Sequence, residues 1–304
     1  MKKIIFSLVD FFNIDSFISS YFRKSAFLIK LIPNSSFYNK TKIKKIRVNG
    51  IKFILEPSDL AQHILLKPDI VNTEMYGIQY LIKKALHYVG EKKLIFDIGA
   101  NCGQFSLLAT ANLRQVYPDI SFTIHSFEPN PYVFERLSRN IRENILIAQN
   151  IKCFNKGIGK ERGTLHIQMP FRNSGAGSLL RNYQNEPHEI HLVDIISLDE
   201  YIKEEKLANY DVCFLKIDVE GFENNVLIGA SDLIDKNSPD IYIEMGQGED
   251  GQKFIINFLK QKNYTLFAEI KTRLTKITDA NEDSFIRMTE LYNIFATCSK
   301  DFHL

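Results

Sequence analysis

The sequence predicts an α/β protein with a mostly parallel sheet covered by helices on both faces, and three observations carry that prediction. From residue 94 onward, short apolar runs alternate with amphipathic stretches; alternation of this kind builds a parallel sheet with crossover helices. One run, Leu94 to Ile98, passes through a glycine turn into an apolar helical pattern at Phe105, Leu107, Leu108 and Ala109. That strand–turn–helix arrangement suits a nucleotide-type cofactor. Acids stand at the ends of three runs, at Asp97, Glu128 and Asp218, where open α/β sheets bind their ligands.

The elements follow in order. Residues 1–40 carry Ile4, Ile5, Leu8, Phe11, Phe12 and Ile18 near helical spacing, flanked by basic residues. This stretch is read as a helix packed on the protein body, with a peripheral helix resting on an anionic membrane as the alternative. Pro33–Asn34–Ser35–Ser36 breaks it. Residues 45–56 read as a hairpin, because two β-rich runs flank Asn49–Gly50. A helix is expected over 73–90, with Tyr76, Tyr80, Leu81, Ala85 and Leu86 on one face. Strands are expected at 94–98, 122–127, 151–155, 212–218, 240–244, 264–269 and about 291–297, and helices near 103–115, 131–144, 198–207, 222–235 and 251–262. The segment 156–197 is longer than an ordinary crossover and is read as a lid or acceptor wall, with an inserted hairpin as the plainer alternative. Within it TLHIQM (164–169) is strand-like, and Arg172 and Arg181 flank a small polar stretch.

At 304 residues the chain can bury one sizeable core. Its apolar share of 45% and charged share of 24% are ordinary for a globular protein. The net charge of +2 is too small for a nucleic-acid footprint. Eleven cations against only Asp10 and Asp15 do, however, crowd into residues 1–52. Cys102, Cys153, Cys213 and Cys298 form no C-x-x-C pair and read as reduced thiols in a cytoplasmic protein. No apolar run is long enough to span a membrane. The basic start is interrupted by Asp10 and Asp15 without a cleavage site, so export is not expected. The domain boundary is set near residue 90, between an extension (1–90) and the cofactor-binding domain (91–304).

The spacing at the turn discriminates among cofactors. No Lys-Ser or Lys-Thr follows Gly103, so this is not a phosphate-binding P-loop. Only Gly99 and Gly103 are present, in the order D-x-G-x-x-x-G, so the dinucleotide fingerprint is incomplete. Asp97 at the strand end repels a phosphate and suits a ligand with a cationic end. Glu128 lies 25 residues beyond Gly103 (128 − 103) at the next strand end, where a carboxylate accepts from ribose hydroxyls. In FLKIDVEGFE (214–223), Lys216 and Asp218 share a face, and Asp218, Glu220 and Glu223 gather around Gly221. A buried ion pair between Lys216 and one carboxylate is the structural alternative.

Together these segments resemble the FkbM family of S-adenosylmethionine-dependent methyltransferases. The resemblance rests on D-I-G-A-N-C-G at Asp97–Gly103, F-E-P-N-P at Phe127–Pro131, N-K-G-I-G at Asn155–Gly159 and K-I-D-V-E-G-F-E at Lys216–Glu223. Ser174–Leu179 looks like the family's small-residue loop, and the similarity spans roughly residues 45–270. It implies a class I methyltransferase (Rossmann-like) fold, seven-stranded and mostly parallel, here preceded by a helical and β-hairpin extension. It also implies S-adenosyl-L-methionine as cofactor and O-methylation, often of sugar hydroxyls in glycans or small molecules.

Cofactor contacts are assigned to Asp97, Gly99, Ala100, Asn101, Gly103, Glu128 and Asn155. Asp218 and Glu220 are the expected catalytic residues, with Lys216 tuning them. His125 reads as structural, and His166, His188 and His191 as surface residues, with one of these three as the general base the alternative. A divalent cation at Asp218, Glu220 and Glu244 is chemically reasonable, but the reading is metal-free. The expected partner is a small-molecule or glycan acceptor, not nucleic acid; no Asn-Pro-Pro-Tyr or Asp-Pro-Pro-Tyr tetrapeptide occurs. Membrane contact, where it occurs, falls to residues 1–30, and the protein is placed in the cytoplasm or at the inner membrane face. The competing readings are an NAD-type dehydrogenase and a non-catalytic glycan-binding relative.

Overall fold

The computed structural model describes residues 44–55, 78, 82, 86, 92–170, 188–245, 248–270, 273–286, 293–300 and 302. The amphipathic segment 1–40, the Pro33–Ser36 break, Arg172, Arg181 and the loop Ser174–Leu179 lie outside them. So does most of the stretch 73–90.

The hairpin forms where expected, as β1 (Lys44–Val48) and β2 (Ile51–Leu55). Asn49 and Gly50 both take positive φ, 50° and 83°, the backbone that a two-residue turn between twisted strands needs. The main chain then runs β3 (Lys93–Ile98), α1 (Gln104–Val116), β4 (Phe122–Phe127), α2 (Pro131–Glu143) and β5 (Ile151–Phe154). Next come β6 (Gly157–Ile158), β7 (Gly163–Pro170), β8 (His188–Ile196) and α3 (Leu198–Glu204). The last part is β9 (Asp211–Ile217), α4 (Glu223–Gly229), α5 (Ser231–Asn237), β10 (Asp240–Glu244), α6 (Gly248–Gln261), β11 (Thr265–Ile270), β12 (Arg273–Lys276), α7 (Glu282–Ile286) and β13 (Asn293–Thr297).

The principal sheet has the order β12-β11-β13-β10-β9-β3-β4-β5. Its central pairs β10–β9, β9–β3, β3–β4 and β4–β5 are parallel, and β13 is inserted antiparallel between β10 and β11. Eight strands replace the expected seven, because β12 folds back on β11 as an added edge. Arg273–Lys276 carries one apolar residue, Leu274, which is too little pattern to signal a strand. The expected helix over 222–235 is two helices meeting at Ala230, whose φ of −113° is not helical.

Each face of the sheet buries its own core. Leu94, Phe96, Ile98, Leu215, Ile217, Ile241 and Ile243 pack against Val226, Leu227, Leu233, Ile255 and Ile256 of α4–α6. On the other face Ile95, Ile124 and Phe214 pack against Phe105, Leu107 and Leu108 of α1. The hairpin residues Val48, Ile51, Phe53 and Leu55 join that second core, as do Ile78, Ile82 and Leu86. These last three are helical and four apart, one buried stripe of a helix. The described residues before β3 therefore share a core with the principal sheet and α1.

The described residues of segment 156–197 form a separate small sheet, β6-β8-β7. β7 and β8 pair antiparallel, the inserted hairpin of the plainer alternative; His188–Ile196 mixes charged and apolar residues on both of its faces, so no period marks β8 by itself. The hairpin docks on the entry to α2: Asn130 Nδ2 lies 2.7 Å from Met169 Sδ, and the Tyr132 and His191 rings meet edge to face at 5.1 Å.

Candidate active site

The turn after β3 is held at three successive residues. The N–H groups of Gly99 and Ala100 both donate to the Phe127 carbonyl, at 3.0 and 2.9 Å. The Asn101 N–H donates to Glu128 Oε2 at 3.0 Å, and the Gly103 N–H returns to the Ala100 carbonyl at 2.8 Å. Gly99 has φ +79°, and a Cβ there would stand 1.8 Å from the Asp218 carbonyl oxygen. Gly103 has φ +84°, and its Cβ would meet Leu137 Cδ1 at 2.7 Å. These glycines let β9 and α2 close on the turn, a requirement internal to the protein that adds to any approach by a ligand. Ala100 commits its N–H to the Phe127 carbonyl of β4 and its C=O to the Gly103 N–H.

Asp97 is wholly buried at the end of β3. Its Oδ2 accepts a 2.5 Å hydrogen bond from Ser106 Oγ, which stands 2.7 Å from Ser126 Oγ. Its Oδ1 faces the Lys216 ammonium at 3.5 Å and has no hydrogen-bond partner among the described residues. Burial raises its pKa against the opposing pull of Lys216 and Ser106. The serines were not foreseen; a polar residue inside the apolar helical run Phe105–Ala109 was the available signal.

Lys216 ties the two strand ends together. Its Nζ donates to the Gly99 carbonyl at 2.7 Å and lies 3.2 Å from Asp218 Oδ2. Burial works against its charge, but Asp218 and Asp97 outweigh burial and hold the ammonium above the ordinary lysine range. The ion-pair alternative is thus realised with both carboxylates, in the middle of the candidate site.

Beyond β9 the acids separate in role. Asp218 is part-exposed at the strand end, and its N–H donates to the Ile98 carbonyl at 3.0 Å. Glu220 adopts φ +52° at the crest of the loop. Glu223 instead turns beneath the loop, fully buried, and its Oε1 accepts from the N–H groups of Val219 and Gly221 at 3.2 and 3.1 Å. It shapes the loop rather than facing the cleft. Ile217 pairs with Ile243, so Asp218 and Glu244 are the next residues side by side. The Asp218 carboxylate and burial push the Glu244 pKa up to about 10. Asp218, Glu220 and Glu244 each bring one oxygen within 4.8 Å of the others.

Glu128 is buried at the end of β4, and its Oε1 accepts from the Asn130 N–H at 3.0 Å. Burial pushes its pKa up to about 7, against those two N–H donors. Asn155 is exposed, and its Nδ2 donates to the carbonyls of Glu128 and Pro129 at 2.8 and 2.9 Å. It therefore secures the end of β4 beside Glu128. His125 is buried mid-strand with Nδ1 2.9 Å from the Tyr201 hydroxyl, and burial lowers its pKa to about 4. It stands in an aromatic cluster with Phe96, Phe127 and Phe154, away from the strand ends.

A sheet of five parallel central strands, with β13 running antiparallel between β10 and β11 and acids at three adjacent strand ends, has the class I methyltransferase fold. The sequence model described as the Methyltransferase FkbM domain matches residues 97–266, more than half of the chain, and the chain belongs to that family. It is 31% identical over 161 residues to Methyltransferase 1 of Beauveria bassiana, covering 47% of this chain and 60% of that one. It is 23% identical over 217 residues to the hexuronic acid methyltransferase AglP of Haloferax volcanii, covering 70% and 77%. It is 26% identical over 198 residues to the 31-O-demethyl-FK506 methyltransferase FkbM of Streptomyces tacrolimicus, covering 58% and 74%. Among solved structures, methyltransferase FkbM from Methylobacillus flagellatus KT aligns with a TM-score of 0.44 and 18% identity, covering 78% of this chain and 52% of that one. The chain thus spans only about half to three-quarters of the length of these relatives.

Proposed function

We propose that this protein is an S-adenosylmethionine-dependent O-methyltransferase acting on a hydroxyl of a sugar or related small molecule. The observation that carries the reading is the approach of β9 to the turn after β3. The Asp218 N–H meets the Ile98 carbonyl, and Lys216 meets the Gly99 carbonyl. A cofactor in the turn and an acceptor over β9 would then share one cleft.

The residues present fit that cofactor. Asp97 and Asn101 each keep a buried side-chain oxygen, Asp97 Oδ1 and Asn101 Oδ1, without a hydrogen-bond donor among the described residues. Such atoms suit the donor groups and positive end of S-adenosylmethionine. Glu128 retains unused lone pairs for ribose hydroxyls. Gly99, Ala100 and Gly103 form the turn, and Asn155 holds Glu128 from the next strand. When bound, the cofactor supplies an electrophilic sulfonium methyl, to which the acceptor oxygen bonds as the C–S bond breaks. A sugar hydroxyl is a weak nucleophile, so Asp218 takes its proton while Glu220 orients the acceptor. The reading is metal-free: Lys216 offsets charge at Asp218, and a proton held by Glu244 offsets more. Sugar acceptors are supported by the similarity to a methyltransferase named for hexuronic acid.

Isothermal titration with S-adenosylmethionine, S-adenosylhomocysteine and NAD, without added metal, tests the reading. Micromolar binding of the first two and none of NAD is expected. NAD binding alone would replace the reading with a dehydrogenase, and no binding of any would favour a non-catalytic glycan-binding protein.

A further inference from the structure

We propose that Asn140 is a positioning residue through which the N-terminal hairpin holds the cofactor turn in shape; the functional half of this inference rests on the methyltransferase reading. Asn140 is fully buried in the third turn of α2. Its Oδ1 accepts from the Ile54 N–H on β2 at 2.8 Å, and its Nδ2 donates to the Cys102 carbonyl at 2.9 Å. One amide thus spans 86 residues of sequence in one direction and 38 in the other. The carbonyl it reaches lies between Asn101, whose N–H binds Glu128, and Gly103, which starts α1.

The neighbouring contacts agree with this role. One helical turn earlier, Leu137 fills the space that a Cβ on Gly103 would need. One turn later, Asn144 pairs with Lys52 in both directions, accepting its N–H at 2.9 Å and donating to its carbonyl at 2.7 Å. The outer edge of β2 is therefore captured by two side-chain amides that take the place of another strand. Asn144 secures the hairpin and otherwise only returns within α2, its Nδ2 donating to the Asn140 carbonyl at 2.8 Å, without reaching the turn. Asn140 secures the hairpin and continues to the turn. Where two groups bind one amide in a buried setting, ordering one orders the other, and the coupling is reciprocal.

The test is hydrogen exchange and titration on the full chain, using S-adenosylhomocysteine as the probe. In the wild type, saturating probe is expected to slow exchange in the peptide 44–55 as well as in the turn 99–103. Asn140→Ala is expected to weaken probe binding about tenfold and to remove the protection of 44–55. Asn144→Ala, which loosens the same hairpin without touching the turn, is expected to bind the probe within about twofold of wild type. Probe binding that leaves 44–55 unprotected overturns the inference without need of any variant. Equal losses of affinity in the two variants also overturn it, because they would reflect general loosening. Should the wild type not bind the probe, the methyltransferase reading fails first. Exchange in 99–103 then decides this inference alone: faster exchange in Asn140→Ala but not in Asn144→Ala upholds the link, and no difference overturns it.

Discussion

The Lys216 ammonium donates a 2.7 Å hydrogen bond to the carbonyl of Gly99, so a charge on β9 fixes the backbone of the turn that follows β3. The same ammonium offsets Asp97, which has no exposure to water. Removing one partner of a buried pair leaves the other charge uncompensated, at a cost of about 3 kcal/mol or more. Lys216→Met is therefore expected to unfold at markedly lower urea. Adding Asp97→Asn should recover part of that loss, because the orphaned charge is then gone. An unchanged urea midpoint for Lys216→Met would show that the pair contributes nothing.

Glu128 gives the site a pH signature. Burial holds its folded pKa near 7, above the ordinary glutamate value of 4.5. Between those values the folded state keeps a proton that the unfolded chain has released, so this group lowers stability as pH rises from 4.5 to 7. Ribose hydroxyls donate best to the ionised carboxylate, so S-adenosylhomocysteine affinity should rise through pH 7, by about tenfold. Glu128→Gln should bind more weakly above pH 7 and show neither dependence. Titrations of both proteins from pH 5.5 to 8.5 separate this group from the other acids nearby.

The difference between what the sequence discloses and what it hides has a physical basis. β3, β4, β9 and β10 are short, predominantly apolar and buried on both faces, so composition marks them. Asn130–Pro131 announces α2 because the asparagine caps it and proline suits its first turn. β8 and β12 are edge or small-sheet strands with mixed faces, and no period separates them from loop. Within the site, Asp97, Glu128 and Asp218 are legible because an acid ending an apolar strand breaks the local pattern. Ser106 and Asn140 are not, because each acts through partners on other elements; Glu223 is legible as an acid near Gly221, but not its turn beneath the loop to take backbone N–H groups. The glycines were legible as a turn, but the Asp218 carbonyl and Leu137 behind them became evident only from the packing.

Gly99 offers a test that separates packing from ligand approach. Alanine at φ +79° costs roughly 1–2 kcal/mol in backbone strain alone. Its Cβ would also sit 1.8 Å from the Asp218 carbonyl oxygen, forcing β9 away from β3. Gly99→Ala should lower thermal stability even without cofactor. Were the glycine needed only for ligand approach, the variant would melt like wild type and lose binding alone.

Glu244 decides whether the acid cluster is balanced by a proton or by a cation. Its pKa stands near 10, raised first by the Asp218 carboxylate and then by burial and a hydrogen bond to Asp218. The folded state therefore retains a proton that the unfolded chain loses near pH 4.5, and stability attributable to this group falls as pH rises between those values. Glu244→Gln removes that dependence while keeping a neutral donor toward Asp218. The variant should be more stable than wild type by about 2 kcal/mol at pH 8, with the difference vanishing near pH 4. Turnover should stay within about threefold of wild type, and chelation by EDTA should leave both proteins unaffected. A cation site gives the reverse pattern: an amide is a poorer ligand than a carboxylate for a hard cation. Glu244→Gln would then lose activity, EDTA would abolish turnover in the wild type, and magnesium or manganese would restore it.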